Sequence, residues 1–479
     1  MLQVRKSEIC DPSGNPVRLR GVCVGGWMNM ENFINGYPGD EHGLREKAAE
    51  ILGAERARFL FNRWLDHFFA EEDVIFLKSC GANVVRLPLN YRHFEEDSHP
   101  FRYREEGFAR LGRAVDWCAR HGMYVILDLH AAQGWQNTDW HSDNAARHSL
   151  LWRHPHFQER VVALWKEFAR RYRGNPAVAG YNLLNEPVTG APDGRYPFAY
   201  RTDWDVLNDL YRRTIRAVRE ADADHIIFLE GDCFSTLFSR LDPPADANLV
   251  YSSHNYTEAG FGPGAYPGTM FGRRWDRRRQ EAVFNAHEGT QFCRQYGRPL
   301  WVGEFGANLQ GAKREAMFRL RAIDDQIDVF EQGGAHWTIW TYKDVGMMGA
   351  VSPDPKSEYL RLIWPIVNAK RRLGLETWSL PARAPQAEVR QATDRLADQL
   401  RRAVPDRTIL PVENHVFLAQ AALGVYAARL LQPAFLHLFR GKTEGQIDRI
   451  LESFALKNCR PREDLLAVLR KHWQADKAG

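Results

Sequence analysis

Two carboxylates stand at the ends of apolar runs, where burial alone gives no reason for them. "VAGYNLLNEP" (178–187) passes through valine, alanine, tyrosine and two leucines and finishes on Asn185 and Glu186. "PLWVGEFG" (299–306) carries Glu304 beyond an equally core-like stretch. A charge at the end of a buried strand is costly unless something there uses it. Similar runs deliver Arg86 in "NVVRLPL", His130 in "YVILDLH", His254 and Tyr256 in "NLVYSSHNY" and Trp340 in "AHWTIWTY". Two opposed carboxylates about 5 to 5.5 Å apart are what cleavage of a glycosidic bond with retention requires. One must be protonated to release the leaving group, and the other ionised to attack the anomeric carbon. Mutual repulsion and desolvation push their pKa values apart and divide the roles. Arg86 beside them would keep one ionised.

The elements that must position these residues follow from the pattern of apolar runs. Strands are expected at 17–24, 83–89, 124–130, 178–186, 225–231, 248–256, 299–306 and 335–342. Between most of them lie amphipathic helical patterns, such as "EGFARLGRAVDWCARHG" (106–122), which stops on Gly122. Eight near-continuous apolar strands alternating with helices imply a parallel sheet, best closed as a (β/α)8 TIM barrel. A doubly wound open sheet is the alternative, but no glycine-rich phosphate loop follows the first strand. In such a barrel strands four and seven lie on opposite sides, so Glu186 and Glu304 would face each other across the mouth. The barrel is expected over residues 1–368, with a helical C-terminal extension, 369–479, packed on it. That extension shows no strand signal. Its apolar run "VFLAQAALGVYAARLLQPAFLHLF" (416–439) reads as a helix docked on the barrel in preference to a lipid or aglycone contact.

Composition excludes several classes. The net charge of +4, from 64 basic and 60 acidic residues, points to no polyanion, so no nucleic-acid partner is expected. "RRWDRRRQ" (273–280) is interrupted by Asp276 and reads as a solvated helix start. No run of 18 apolar residues predicts a membrane span. Seven dispersed cysteines and the lack of a secretory pattern in "MLQVRKSEICDPSGNP" suggest a reduced, cytoplasmic protein. His130, Asp139, His141 and Asp143 invite a metal reading, but strand one lacks the two histidines that metal-dependent barrels of that kind use. Neither metal nor cofactor is expected. The long polar loop after strand three more plausibly walls a sugar site with Trp135, Trp140 and His141.

The ordered motifs "NVVRLPL", "LDLH", "LLNEP", "SSHNY", "VGEFG" and "WTIWTY" resemble glycoside hydrolase family 5 over residues 15–365. The resemblance implies Glu186 as general acid/base, Glu304 as nucleophile, and Asn185 as partner of the sugar 2-hydroxyl. It implies further that Arg86 and Tyr256 orient Glu304, that His130 and His254 line the sugar subsite, and that Trp340 stacks under the ring. "GVCVGGWMNMENF" (21–33) resembles the opening of exo-acting glucosidases in that family. The expected substrate is therefore a small carbohydrate or glycoside with a terminal β-linked sugar, with glucose preferred. Endo-acting glucanase or mannanase action, mannoside, xyloside or fucoside specificity, and a glycolipid or steryl glucoside substrate remain alternatives. So do transglycosylation, a homo-oligomeric assembly, and a sugar-binding barrel without catalysis.

Overall fold

The computed structural model describes residues 1–375, 385–410 and 414–474. Eight parallel strands close into a barrel: β1 (Arg20–Cys23), β2 (Val84–Asn90), β3 (Tyr124–Ala131), β4 (Val178–Asn182), β5 (Ile226–Glu230), β6 (Leu249–His254), β7 (Leu300–Glu304) and β8 (His336–Ile339). Each overlaps one of the runs read from the sequence, with β2 and β3 running one residue past theirs, and the TIM-barrel expectation holds. Three strand ends matter for the site. β2 continues to Asn90, which puts Arg86 inside the barrel instead of at its rim. β8 stops one residue before Trp340. β4 stops at Asn182, although Leu183 and Asn185 still donate to Phe228 and Leu129 backbone oxygens. The chain then leaves the sheet at Glu186, whose φ of +47° lies in the left-handed region that L-residues avoid.

The strand pleat sorts the barrel interior into two layers. Val84, Ile126, Ile226, Phe228 and Val250 pack with Trp301 as an apolar lower layer. Two residues further along the same faces come Arg86, Asp128, Glu230 and Ser252, so the period of two turns the interior from apolar to charged. The N-terminal end is sealed by a hairpin of Gln3–Arg5 with Glu8–Cys10, whose Leu2 and Ile9 join the lower layer. The barrel is thus a closed-bottomed cup with its polar groups towards the C-terminal strand ends.

The outer ring of helices closes in an unexpected way. Helix Glu358–Leu373, which follows β8, packs against later helices of the C-terminal region. The place in the ring between Lys313–Gln332 and Glu71–Cys80 is taken by the last helix, Glu463–Trp473. The Trp473 indole stacks on Trp337 of β8, with centroids 6.3 Å apart and planes at 12°. Lys471 Nζ and His472 Nε2 reach Asp324 at 2.8 and 2.7 Å. Residues 340–462 are therefore one long connection between β8 and its ring helix. Its neck is a strand pair, Val351–Pro353 with Cys459–Pro461, although no strand was expected after residue 368. The expected division at 368/369 falls inside Glu358–Leu373, and most of the Pro-containing stretch 375–389 lies outside the described residues. Among the described residues no helix is long and apolar enough to cross a membrane.

Candidate active site

Arg86 organises the polar layer. Its side chain is fully buried, and Trp301 lies beneath its guanidinium at 5.6 Å. Nη1 donates to Glu304 Oε1 at 2.5 Å, while Nη2 donates to Asn185 Oδ1 at 2.7 Å and to Glu230 Oε1 at 3.2 Å. Asp128 Oδ2 is 3.1 Å away, and Asn182 Oδ1 accepts from both Nε and Nη2. A planar, permanently charged fork suits this many-sided role as an ammonium would not.

The two glutamates meet above it. A carboxylate oxygen of Glu186, one of Glu304 and a ring nitrogen of His254 all lie within 4.8 Å of one another. Glu304, the last residue of β7, takes its second bond from the Tyr256 hydroxyl at 2.9 Å. Glu186 is held by two imidazoles: His254 Nδ1 is 2.7 Å from Oε1, and His141 Nε2 is 3.0 Å from Oε2. Its backbone is pinned as well, the N–H donating to Glu230 Oε2 and the carbonyl accepting from Asn137 Nδ2.

Burial would raise the Glu186 carboxyl, but the bonds from His141 and His254 outweigh it and hold it well below the usual range. Burial likewise works against the His254 cation, yet Glu230, Glu304 and the bond to Glu186 lift His254 well above the ordinary imidazole value. His141 is raised too, because the Glu186 bond overcomes its burial. Without substrate, the protons of this cluster rest on the imidazoles and not on the carboxylate.

His130 sits deeper, with Nδ1 2.7 Å from Asp128 Oδ2, and burial pushes it down to about 3, so it is neutral. Burial pushes Asp128 up to about 8 against the pull of Arg86. The Trp340 ring lies parallel to His130 at 5.3 Å. Asn185 Nδ2 is 3.5 Å from His130 Nε2. Glu31 faces the same nitrogen at 3.3 Å, and its buried Oε1 accepts no hydrogen bond from the protein. Burial, reinforced by Glu304 and Glu186, pushes Glu31 well above the carboxylate range. Of the eleven residues read from the sequence as forming the sugar site, Trp135 alone stands apart. Its indole donates to the Asp143 carbonyl within its own loop, and the neighbouring Trp140 takes the position on the cavity.

Glu31, Asp128, Asn182 and Glu230 were missed. The period of two on β3 would have pointed to Asp128, which shares a face with His130, and Glu230 is the last residue of β5, a strand end like those weighed on the other strands. A cavity of about 400 Å³ opens over Glu186, His254 and Tyr256 and is walled by Asp139, Trp140, His141, Arg147, Phe234 and Thr236. Gln420, Gly424 and Val425 complete it, so the 420–432 segment reaches the site as well as docking on the barrel through Gln432, which donates to the Pro38 and Asp40 carbonyls. The spacing of Glu186, His254 and Glu304 would suit a cation, but their oxygens are already satisfied by Arg86, Tyr256 and the two imidazoles. Asp324, Asp328 and His472 are equally close together, and there Lys471 supplies the positive charge. The His130, Asp139, His141 and Asp143 set is dispersed: Asp139 pairs with Arg147, and Asp143 with Arg92 and Asn90.

A closed parallel barrel with paired carboxylates at its C-terminal mouth defines a class of sugar-cleaving enzymes. A solved structure described as a glycoside hydrolase superposes with a TM-score of 0.51 at 19% identity, covering 68% of this chain and 89% of its own, which supports the fold. The family model for cellulase (glycosyl hydrolase family 5) matches residues 45–346, and the chain belongs to that family of glycoside hydrolases. A protein from Phanerodontia chrysosporium named beta-xylosidase is 37% identical over 98% of this chain and 97% of its own length. A probable glucan 1,3-beta-glucosidase A from Emericella nidulans is 26% identical over 69% of this chain and 87% of its own.

Proposed function

We propose that the protein is an exo-acting, retaining β-glycosidase that releases terminal glucose from small β-glucosides. The carrying observation is the approach of Glu186 and Glu304 to within 4.8 Å, each with a different set of partners. That spacing suits direct attack and leaves little room for a water between carboxylate and sugar, as inversion would need. In this reading Glu304 attacks the anomeric carbon while the Arg86 and Tyr256 bonds fix its oxygens. Glu186 delivers a proton to the departing oxygen, replenished from His254 Nδ1 at 2.7 Å. Water then attacks the glycosyl–Glu304 ester, giving its proton to Glu186, and the sugar leaves with its configuration retained. A sugar hydroxyl in place of water would give transglycosylation.

Asn185 meets the 2-hydroxyl, and His130, Trp340 and Glu31 wall the sugar. Glu31, whose Oε1 faces His130 Nε2 at 3.3 Å, offers its carboxyl group to a sugar hydroxyl. The cavity of about 400 Å³ over Glu186 is the size of a small-molecule site, which favours trimming over mid-chain cutting. The full-length relative named beta-xylosidase supports a second reading, xylose in place of glucose. Aryl β-glucoside, xyloside, mannoside, fucoside and galactoside, offered to wild type and Glu304→Ala, decide the matter. Turnover of the glucoside, abolished by the substitution and rescued by azide with inverted product, is the expected result. Turnover of the xyloside alone would replace glucose by xylose. No turnover of any aryl or oligosaccharide glycoside would bring the non-catalytic sugar-binding barrel forward.

A further inference from the structure

The wall of the cavity away from the polar layer is built from three separate places in the chain. Trp140 comes from the loop after β3. Phe234 comes from the turn after β5, where Cys233, Phe234 and Ser235 all hold left-handed backbone, with φ of 51°, 58° and 61°. L-residues keep such a run only where neighbours over-determine it, and runs of this kind cluster at ligand sites. Here Phe234 N–H donates to the Pro187 carbonyl at 3.3 Å and Ser235 Oγ to the Ser252 carbonyl at 2.7 Å. The Phe234 ring is thereby set against Tyr196, 6.3 Å away with planes at 20°, and 6.2 Å from the His141 ring that holds Glu186.

The third part is the π-helical stretch Gln420–Ala427 of the long β8 connection, which presents Gln420, Gly424 and Val425. It is fastened to the β3 loop by Arg147, whose Nη2 donates to Gln420 Oε1 at 2.8 Å while Nη1 reaches Asp139 at 3.2 Å. Gly424 has nothing within 4 Å of where a Cβ would stand, so its face opens on space. Trp140, Phe234, Val425 and the bare Gly424 give this wall its apolar contact, while the polar Asp139, Arg147 and Gln420 beside them are engaged with one another.

We propose that Phe234, Trp140 and the Gln420–Ala427 stretch form the leaving-group site, and that it selects glycosides whose aglycone is an apolar ring or chain over those with a second sugar. The proposal rests on the retaining-glycosidase reading above. In it the long β8 connection sets specificity on the side of the scissile bond opposite to Glu31 and His130.

The test compares three substrates of one sugar: the glycosyl fluoride, whose leaving group is a single atom, the octyl glycoside, and the disaccharide. Glucosyl and xylosyl fluorides are offered first, and whichever is cleaved fixes the sugar for the other two. Wild type is expected to favour the octyl glycoside over the disaccharide by about tenfold or more in kcat/KM, the scale of apolar pocket discrimination. Gly424→Phe, which fills the open face, should lower the ratio of octyl glycoside to fluoride kcat/KM by about tenfold, through KM. Phe234→Ala should lower the same ratio. A preference for the disaccharide, or ratios in both variants within about twofold of wild type, would overturn the proposal while leaving the glycosidase reading intact. Failure of wild type to cleave either fluoride would overturn that reading and this proposal with it.

Discussion

Glu304 and Glu186 are separated by less than 5 Å at their nearest oxygens but are held by opposite means. Glu304 stays in the sheet, in register with His254 across β6 and β7, and its partners are a guanidinium and a phenol. Glu186 has left the sheet in a left-handed conformation, and its partners are two imidazoles. Arginine keeps its charge at any working pH, whereas imidazoles give and take protons near neutrality. A fixed cation beside one carboxylate and movable protons beside the other are what a nucleophile and an acid/base respectively need. The different surroundings, more than the similar positions, carry the division of labour.

That contrast can be broken from either side. Glu304→Ala should reduce kcat by about 10⁴-fold or more, as loss of a nucleophile does, and azide should restore turnover with an inverted glycosyl azide. Glu186→Ala should lose about 10²- to 10⁴-fold on alkyl glycosides, the range of general acid catalysis, and far less on a dinitrophenyl glycoside that needs no proton. Its azide product should keep the β configuration. If the two azide products were exchanged between these variants, the roles would be reversed.

Arg86→Lys keeps the charge but removes the fork, and about a hundredfold loss in kcat is expected, similar to loss of one preorganised donor. Activity within twofold of wild type would mean that charge alone suffices. The gentlest probe is the pH profile of His254→Asn. His254 lies well above its ordinary value, so the His254–Glu186 pair keeps its proton through neutrality, and it is lost only as pH rises past the raised imidazole. With that imidazole gone, the proton is shared only between Glu186 and His141, which is raised less far than His254, and the alkaline limb of kcat/KM should move down by about one unit or more. An unmoved limb would show that His254 only positions Glu186.

The barrel was readable because its eight strands are short apolar runs separated by amphipathic helices, and both signals are local. Arg86, Glu186, His254 and Glu304 were readable because each interrupts or ends such a run. Asp128 sits two residues before His130 and was passed over because the alternation along the strand was not weighed; Glu230 ends its strand as Glu304 does and was passed over although the same signal marked it. Trp135 and Trp140 could not be told apart: their loop has no period, and left-handed residues at Trp135 and Asp143 turn its side chains in ways composition does not record. The apolar character of 416–439 was plain, but not its second face on the cavity. Nor could the sequence show which amphipathic helix completes the ring. Leu465, Leu466, Leu469 and Trp473 make an apolar stripe like that of any other surface helix.

The placement of that last helix has a consequence for how the chain is made. During synthesis all eight strands have emerged by Ile339, yet Trp473, which covers Trp337, arrives about 130 residues later, on the order of 7 to 27 s at ordinary elongation rates. For that interval the seam between the first and last strands has no outer cover on one side, and a nascent barrel would present its indole to solvent or to a chaperone. Closure of the ring thus waits on Glu463–Trp473, far along the chain from the strand it covers.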